Sequence, residues 1–103
     1  MTTEKDIPQD VPLPEPSLLV LVSGIAAQAM TSMGIFPNPI NNKTEIKLNQ
    51  AKHLINTIAV IESKTEGNRT DEESTKIAGV LHELRTMYLA AQREQESRQS
   101  ITE

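Results

Sequence analysis

Ser17–Met33, SLLVLVSGIAAQAMTSM, decides how this chain folds. Leu18, Leu19, Val20, Leu21 and Val22 follow one another, and at about 100° per residue five successive helical side chains point in every direction around the axis. Such a helix cannot be covered by one neighbour. The rest of the chain has to supply partners for it, and a second copy of the chain is the natural cover for any side left over.

Outward from that helix, the 103 residues leave room for one small domain and two tails. Phe36 and Tyr88 are the only aromatics and there is no Trp, so the core must be Leu, Ile, Val, Ala and Met, a composition suited to packed helices. The absence of Cys removes a disulfide framework and a thiolate metal site, and it fits a reducing compartment. The opening Met1-Thr2-Thr3-Glu4 is polar and acidic, unlike the basic start of a secretory signal, so a cytoplasmic location is expected and the sequons at Asn42 and Asn68 carry no glycosylation reading. The net charge of −4 is unevenly spread: −3 over residues 1–16, −2 over 94–103 and +1 over 17–93. A nearly neutral helical centre with two aromatics has neither the phosphate-neutralising stripe nor the stacking platform of a nucleic-acid binder.

Along the chain, residues 1–16 hold Pro8, Pro12, Pro14 and Pro16 among acids, and an extended, mostly disordered arm without P-x-x-P spacing is expected. Ser17 then serves as N-cap of the first helix, over about 17–33, and Gly34 supplies its left-handed C′ residue. Pro37-Asn38-Pro39 and Asn41-Asn42-Lys43 are turns, and Thr44–Leu48 alternates as an extended approach to the next helix, with room for a two-stranded scrap. The second helix, about 48–66, carries Ala51, Leu54, Ile55, Ile58, Ala59 and Ile61 at helical spacing and ends at Gly67. Thr70 with Glu73 three residues later forms a capping box for the third helix, and Asp71 and Glu72 favour its positive end. Ile77, Leu81, Leu84, Tyr88 and Ala91 make its core stripe, widened by Val80 and Met87. Beyond Arg93 the polar run EQESRQSITE is expected to fray into a disordered tail. The fold expected is therefore all-α: a three-helix domain over 17–93 between a Pro-rich arm and a polar tail.

At the connection between the second and third helices, residues 62–73, ESKTEGNRTDEE, resemble the K-T-x-G-N-x-T-x-E-E signature of a family of short bacterial proteins, domain of unknown function 1844. Pro37-Asn38-Pro39, Ala51-Lys52-His53 with Ile55, and Leu81-His82-Glu83-Leu84-Arg85 with Tyr88 agree with it in order and spacing. The likeness spans about residues 17–91. It departs at Arg69, where Leu is expected, and at His82, where an aromatic is expected. The resemblance implies one domain and brings no activity, cofactor or catalytic residue.

Chemistry-bearing residues are sparse. His53 and His82 sit on different helices without a second ligand at metal spacing, and read as boundary or surface residues. Lys64, Thr65, Gly67, Asn68 and Thr70 invert a phosphate loop: Lys and Thr close a helix before the glycine, so carbonyls and not amides face the turn. Gly67 there reads as C′, with an exposed partner-binding turn as the alternative. Arg85, beside a buried stripe, is expected in a boundary salt bridge, and Tyr88 is expected to pack its ring with its hydroxyl at the core's edge.

The apolar run must also be tested against a membrane. Seventeen residues make about 25 Å of helix against roughly 30 Å of hydrocarbon. Ser23, Gly24, Gln28, Thr31 and Ser32 weaken insertion, and no Lys or Arg flanks the run. The expectation is a structural or protein-interaction module, without enzyme chemistry, cofactor or metal, that forms a homo-oligomer, in simplest form a two-fold dimer. Its seam is assigned to Val20, Ser23, Gly24, Ala27, Met30 and Thr31, where small residues form a notch framed by bulk. The alternative for that notch is close packing of helix two or three within one chain. For the whole protein the alternative is a peripheral membrane or regulatory adaptor, which would sediment with vesicles, and an unknown protein partner is compatible with either.

Overall fold

The computed structural model describes residues 12–102, with side chains through residue 98, so most of the expected N-terminal arm lies outside the described residues. Three helices follow one another: α1 (Leu18–Ser32), α2 (Leu48–Lys64) and α3 (Asp71–Thr102). Each packs against both others. Among the described residues there is no strand, and the one extended pairing is an antiparallel bridge between Met33 and Ile46 that brings the end of α1 beside the start of α2.

Local chemistry accounts for the boundaries. Ser17 is extended and its Oγ accepts from the Val20 amide at 3.1 Å, satisfying one of the free N–H groups at the start of α1. At the other end Gly34 takes φ +79. Its N–H donates to the Thr31 carbonyl and the Ile35 N–H reaches back to Met30, the paired bonds of a Schellman ending. A Cβ on Gly34 would also stand 3.2 Å from Ile46 Cγ1, so glycine serves both the backbone angle and the close approach of the bridge. Asn38 and Asn41 each fold the following chain back on their side-chain oxygens, accepting from Ile40 and Lys43 respectively.

The second helix stops earlier than its glycine suggests. Lys64 is its last residue and Thr65 its C-cap, so Gly67, at φ +85, lies beyond C′ and shapes the turn instead of closing the helix. Thr65 Oγ1 donates to the Ile61 carbonyl at 2.8 Å, beside the Thr65 amide that bonds the same oxygen at 3.0 Å, and the Glu66 amide turns back to Ser63 instead of reaching the Glu62 carbonyl. The third helix corrects the sequence reading in the opposite direction: it continues past Arg93 to Thr102. No Gly or Pro follows Arg93, Glu, Gln and Arg are strong helix formers, and Glu94 pairs with Arg98 one turn on at 2.7 Å. Polarity removes burial, but burial is not what ends a helix.

The core lies where the three stripes meet. Val22, Ala26, Ala29 and Met33 from the first segment meet Ala51, Ile55 and Ile58 from α2 and Ile77, Leu81, Leu84 and Ala91 from α3. Leu54, Ala59, Ile61, Val80, Met87 and Tyr88 are half-buried around them. Ala29 and Ala51 are fully buried, and their small size lets α1 and α2 approach closely.

Candidate functional site

On α1 the inward stripe of Val22, Ala26, Ala29 and Ser32 leaves the opposite side uncovered. Ser23, Gly24 and Ala27 are exposed, and Val20 and Leu21 keep 39% and 54% of their surface in solvent. A Cβ built on Gly24 would meet nothing within 4 Å. The small residues that seat α1 against its own chain are therefore Ala26 and Ala29, and the notch at Ser23, Gly24 and Ala27 stays exposed among the described residues. Two of the residues assigned to the seam behave differently from the rest. Met30 packs against the core, and Thr31 is half-buried with its Oγ1 donating to the Ala27 carbonyl. Helical geometry explains the difference, since Met30 follows the buried Ala29 and Ala26 along their edge.

Below Ala27 the open face runs into a groove of about 400 Å³, formed by Gln28 and Thr31 of α1, the Asn38–Ile40 turn, and Glu45, Lys47 and Gln50 at the start of α2. Ile40 stands on its rim with 92% of its surface exposed, and Ile35 and Phe36 are exposed in the same connection. Sequence reading missed this groove because its two walls come from segments separated by a turn whose path is set only in the fold. From Ser17 to Asn42 the chain carries no Asp, Glu, Lys or Arg, so the α1 face and the turn beyond it are free of formal charge.

The α2–α3 connection is organised by the residue that departs from the family signature. Arg69 Nε donates to Ser74 Oγ at 3.0 Å, and its Nη1 donates to Thr65 Oγ1 at 3.1 Å and to the Glu62 carbonyl. One guanidinium thus caps the carbonyl end of α2, where a cation is favoured, and ties it to the first turn of α3. Beside it Thr70 and Glu73 exchange bonds: the Thr70 amide donates to Glu73 Oε1 at 2.8 Å, and the Glu73 amide to Thr70 Oγ1 at 3.1 Å. The Arg69 guanidinium and the Thr70 and Glu73 amides, donors that an anion would need, are thus directed to acceptors within the chain.

His53 and His82 are both exposed, on α2 and α3, and among the described residues no three His, Cys, Asp or Glu side chains gather as a metal site. The boundary salt bridge expected for Arg85 does not form: the ion pairs of the described residues are Glu72–Lys76 and Glu94–Arg98, each within one turn of α3. Arg85 instead edges a second groove, of about 240 Å³, with Tyr88 and Leu89 of α3 and Lys52, Ile55 and Asn56 of α2.

A family model described as a domain of unknown function, DUF1844, matches residues 15–90, the three-helix core from the Ser17 cap to the last turn before Ala91. The chain belongs to the DUF1844 family. No curated protein and no solved structure matches this DUF1844 chain. The match stops short of the polar extension of α3, so both connections and the core stripe up to Tyr88 belong to the family's domain, while Ala91 and the last turns of α3 lie outside the match. Among the described residues of this DUF1844 protein no helix is long and apolar enough to cross a membrane.

Proposed function

We propose that this DUF1844 protein is a non-catalytic interaction module that assembles with a second copy of itself through the outer face of α1. The observation that supports it is the charge-free apolar face of Val20, Leu21, Gly24 and Ala27, which stays exposed among the described residues. In a two-fold contact each surface meets its own duplicate, so any charge near the axis faces a like charge. A face without charged residues escapes that repulsion. An exposed Ile40 on the rim of a groove is likewise self-complementary in shape, because the knob of one copy can enter the groove of the other while receiving the same in return. The cytoplasm is the setting we assign to the assembly, on the Cys-free composition alone.

Light-scattering mass tests the reading. The wild-type chain is expected at twice the monomer mass at micromolar concentration, and Ala27→Glu, which would bury an unpaired charge at the seam from both copies, at the monomer mass with its helical circular dichroism intact. A monomeric wild type overturns the proposal, and a fully dimeric Ala27→Glu protein moves the seam off this face.

A further inference from the structure

The α2–α3 groove lies on a different part of the molecule from the α1 face and has a different chemistry. Its edges are two cations, Lys52 and Arg85, neither of which is paired with a carboxylate of the described residues. Between them lie the Tyr88 ring and Leu89, which is 51% exposed, and Ile55 of the core is reached at its floor. The flanking sequence leaves this zone basic: between Glu45 and Glu62 the chain carries Lys47 and Lys52 and no acid, and between Glu83 and Glu94 it carries Arg85 and Arg93 and no acid. An apolar groove edged by unpaired cations fits an extended ligand in which carboxylates alternate with apolar side chains.

The chain itself contains that ligand. Asp6-Ile7-Pro8 and Asp10-Val11-Pro12 repeat one pattern at a spacing of four: an acid, a branched apolar residue and a proline. We propose that the N-terminal arm, through Asp6–Pro12, docks reversibly in the groove between α2 and α3. The carboxylates of Asp6 and Asp10 meet Lys52 and Arg85, while Ile7, Val11 and their prolines lie over Tyr88 and Leu89, in the manner of Pro-rich segments on aromatic-lined grooves. Reach permits it. The groove lies near the start of α2, which the Met33–Ile46 bridge places at the far end of α1, about 22 Å from Ser17 along the helix. Eleven extended residues from Ser17 back to Asp6 span up to about 36 Å. The tether also holds the arm at an effective concentration in the millimolar range, so a weak charge-assisted contact is enough to populate the docked form. The inference does not rest on the α1 seam, and either can fail without the other.

The absence of cysteine makes the test clean. A nitroxide attached to the full chain at Gln9→Cys should selectively weaken the amide NMR signals of Lys52, Asn56, Arg85 and Leu89. Those of Gln28 and Thr31, at the same end of the bundle on another face, should keep their intensity. The loss should disappear in a Lys52→Glu, Arg85→Glu double variant, and in the unaltered chain as salt is raised, since screening shortens the reach of exposed charges to about 3 Å at 1 M. Unchanged groove signals, equal loss at Gln28, or a loss that survives both charge reversal and salt overturns the proposal. A loss that appears only when labelled chains are mixed with isotope-labelled, spin-free ones assigns the groove to the arm of another copy, and overturns docking within one chain.

Discussion

The two sides of α1 have nearly the same composition and opposite fates. Inside, Val22, Ala26 and Ala29 are buried against α2 and α3; outside, Val20, Leu21, Gly24 and Ala27 are exposed among the described residues, and a side chain added at Gly24 would meet open space. Hydrophobicity alone does not distinguish them. What does is the stripe that the two partner helices offer: α2 and α3 supply enough apolar side chains to cover one side of α1, and the other side stays exposed among the described residues. The comparison separates what holds the monomer together from what the monomer presents.

Substitutions at matched depth break or sharpen that contrast. The largest effect is expected where the inner side rests on α2: Ile58, fully buried, should lose about 2 to 5 kcal/mol on truncation to Ala, read from the chemical-denaturation midpoint. On α1 itself, Ala29→Leu forces extra volume into a filled site and should cost about 1 to 3 kcal/mol. Gly24→Ala on the outer side should do the reverse. It gains about 0.8 to 1 kcal/mol of helix propensity in a dilute monomer because nothing obstructs the new methyl group, while weakening any dimer that uses the notch. A Gly24→Ala protein less stable than wild type at high dilution would show that the outer side is packed within the chain after all. The smallest intrinsic effect is expected for Leu21→Gln, within about 0.5 kcal/mol in the monomer. Its signature is different: a wild-type midpoint that rises with protein concentration, and a variant midpoint that does not.

Legibility followed the range of the interaction. Ser17, Gly34 and the Thr70–Glu73 box act over three or four residues, and the residues that form them stand next to one another in the sequence. The core stripes were equally readable because helical period places Ile77, Leu81 and Leu84 on one side whatever they touch. The end of α3 was not, since polarity after Arg93 marks loss of burial and carries no stop signal. Nor was the pairing of two cations: half-buried Arg69 found carbonyl and hydroxyl acceptors across a turn, while exposed Arg85 found no acid among the described residues, and neither outcome is encoded in local spacing. Within the candidate seam, Gly24 and Ala27 are exposed, whereas Met30 is half-buried against the core because the helix rotates it back towards Ala26.

The Arg69 clamp also sets an order in time. Its bonds join residues no more than seven apart, so little chain entropy is lost in closing them, whereas the Met33–Ile46 bridge that seats α1 must first gather the longer connection. Folding is therefore expected to begin as an α2–α3 hairpin that α1 joins afterwards. In stopped-flow chevrons, Arg69→Leu should then lower the refolding rate, and Gly34→Ala should act mainly by raising the unfolding rate. An α1 that arrives last is also the element whose apolar surface is open longest to a neighbouring chain, so the concentration at which the protein is refolded should govern how much of it is recovered.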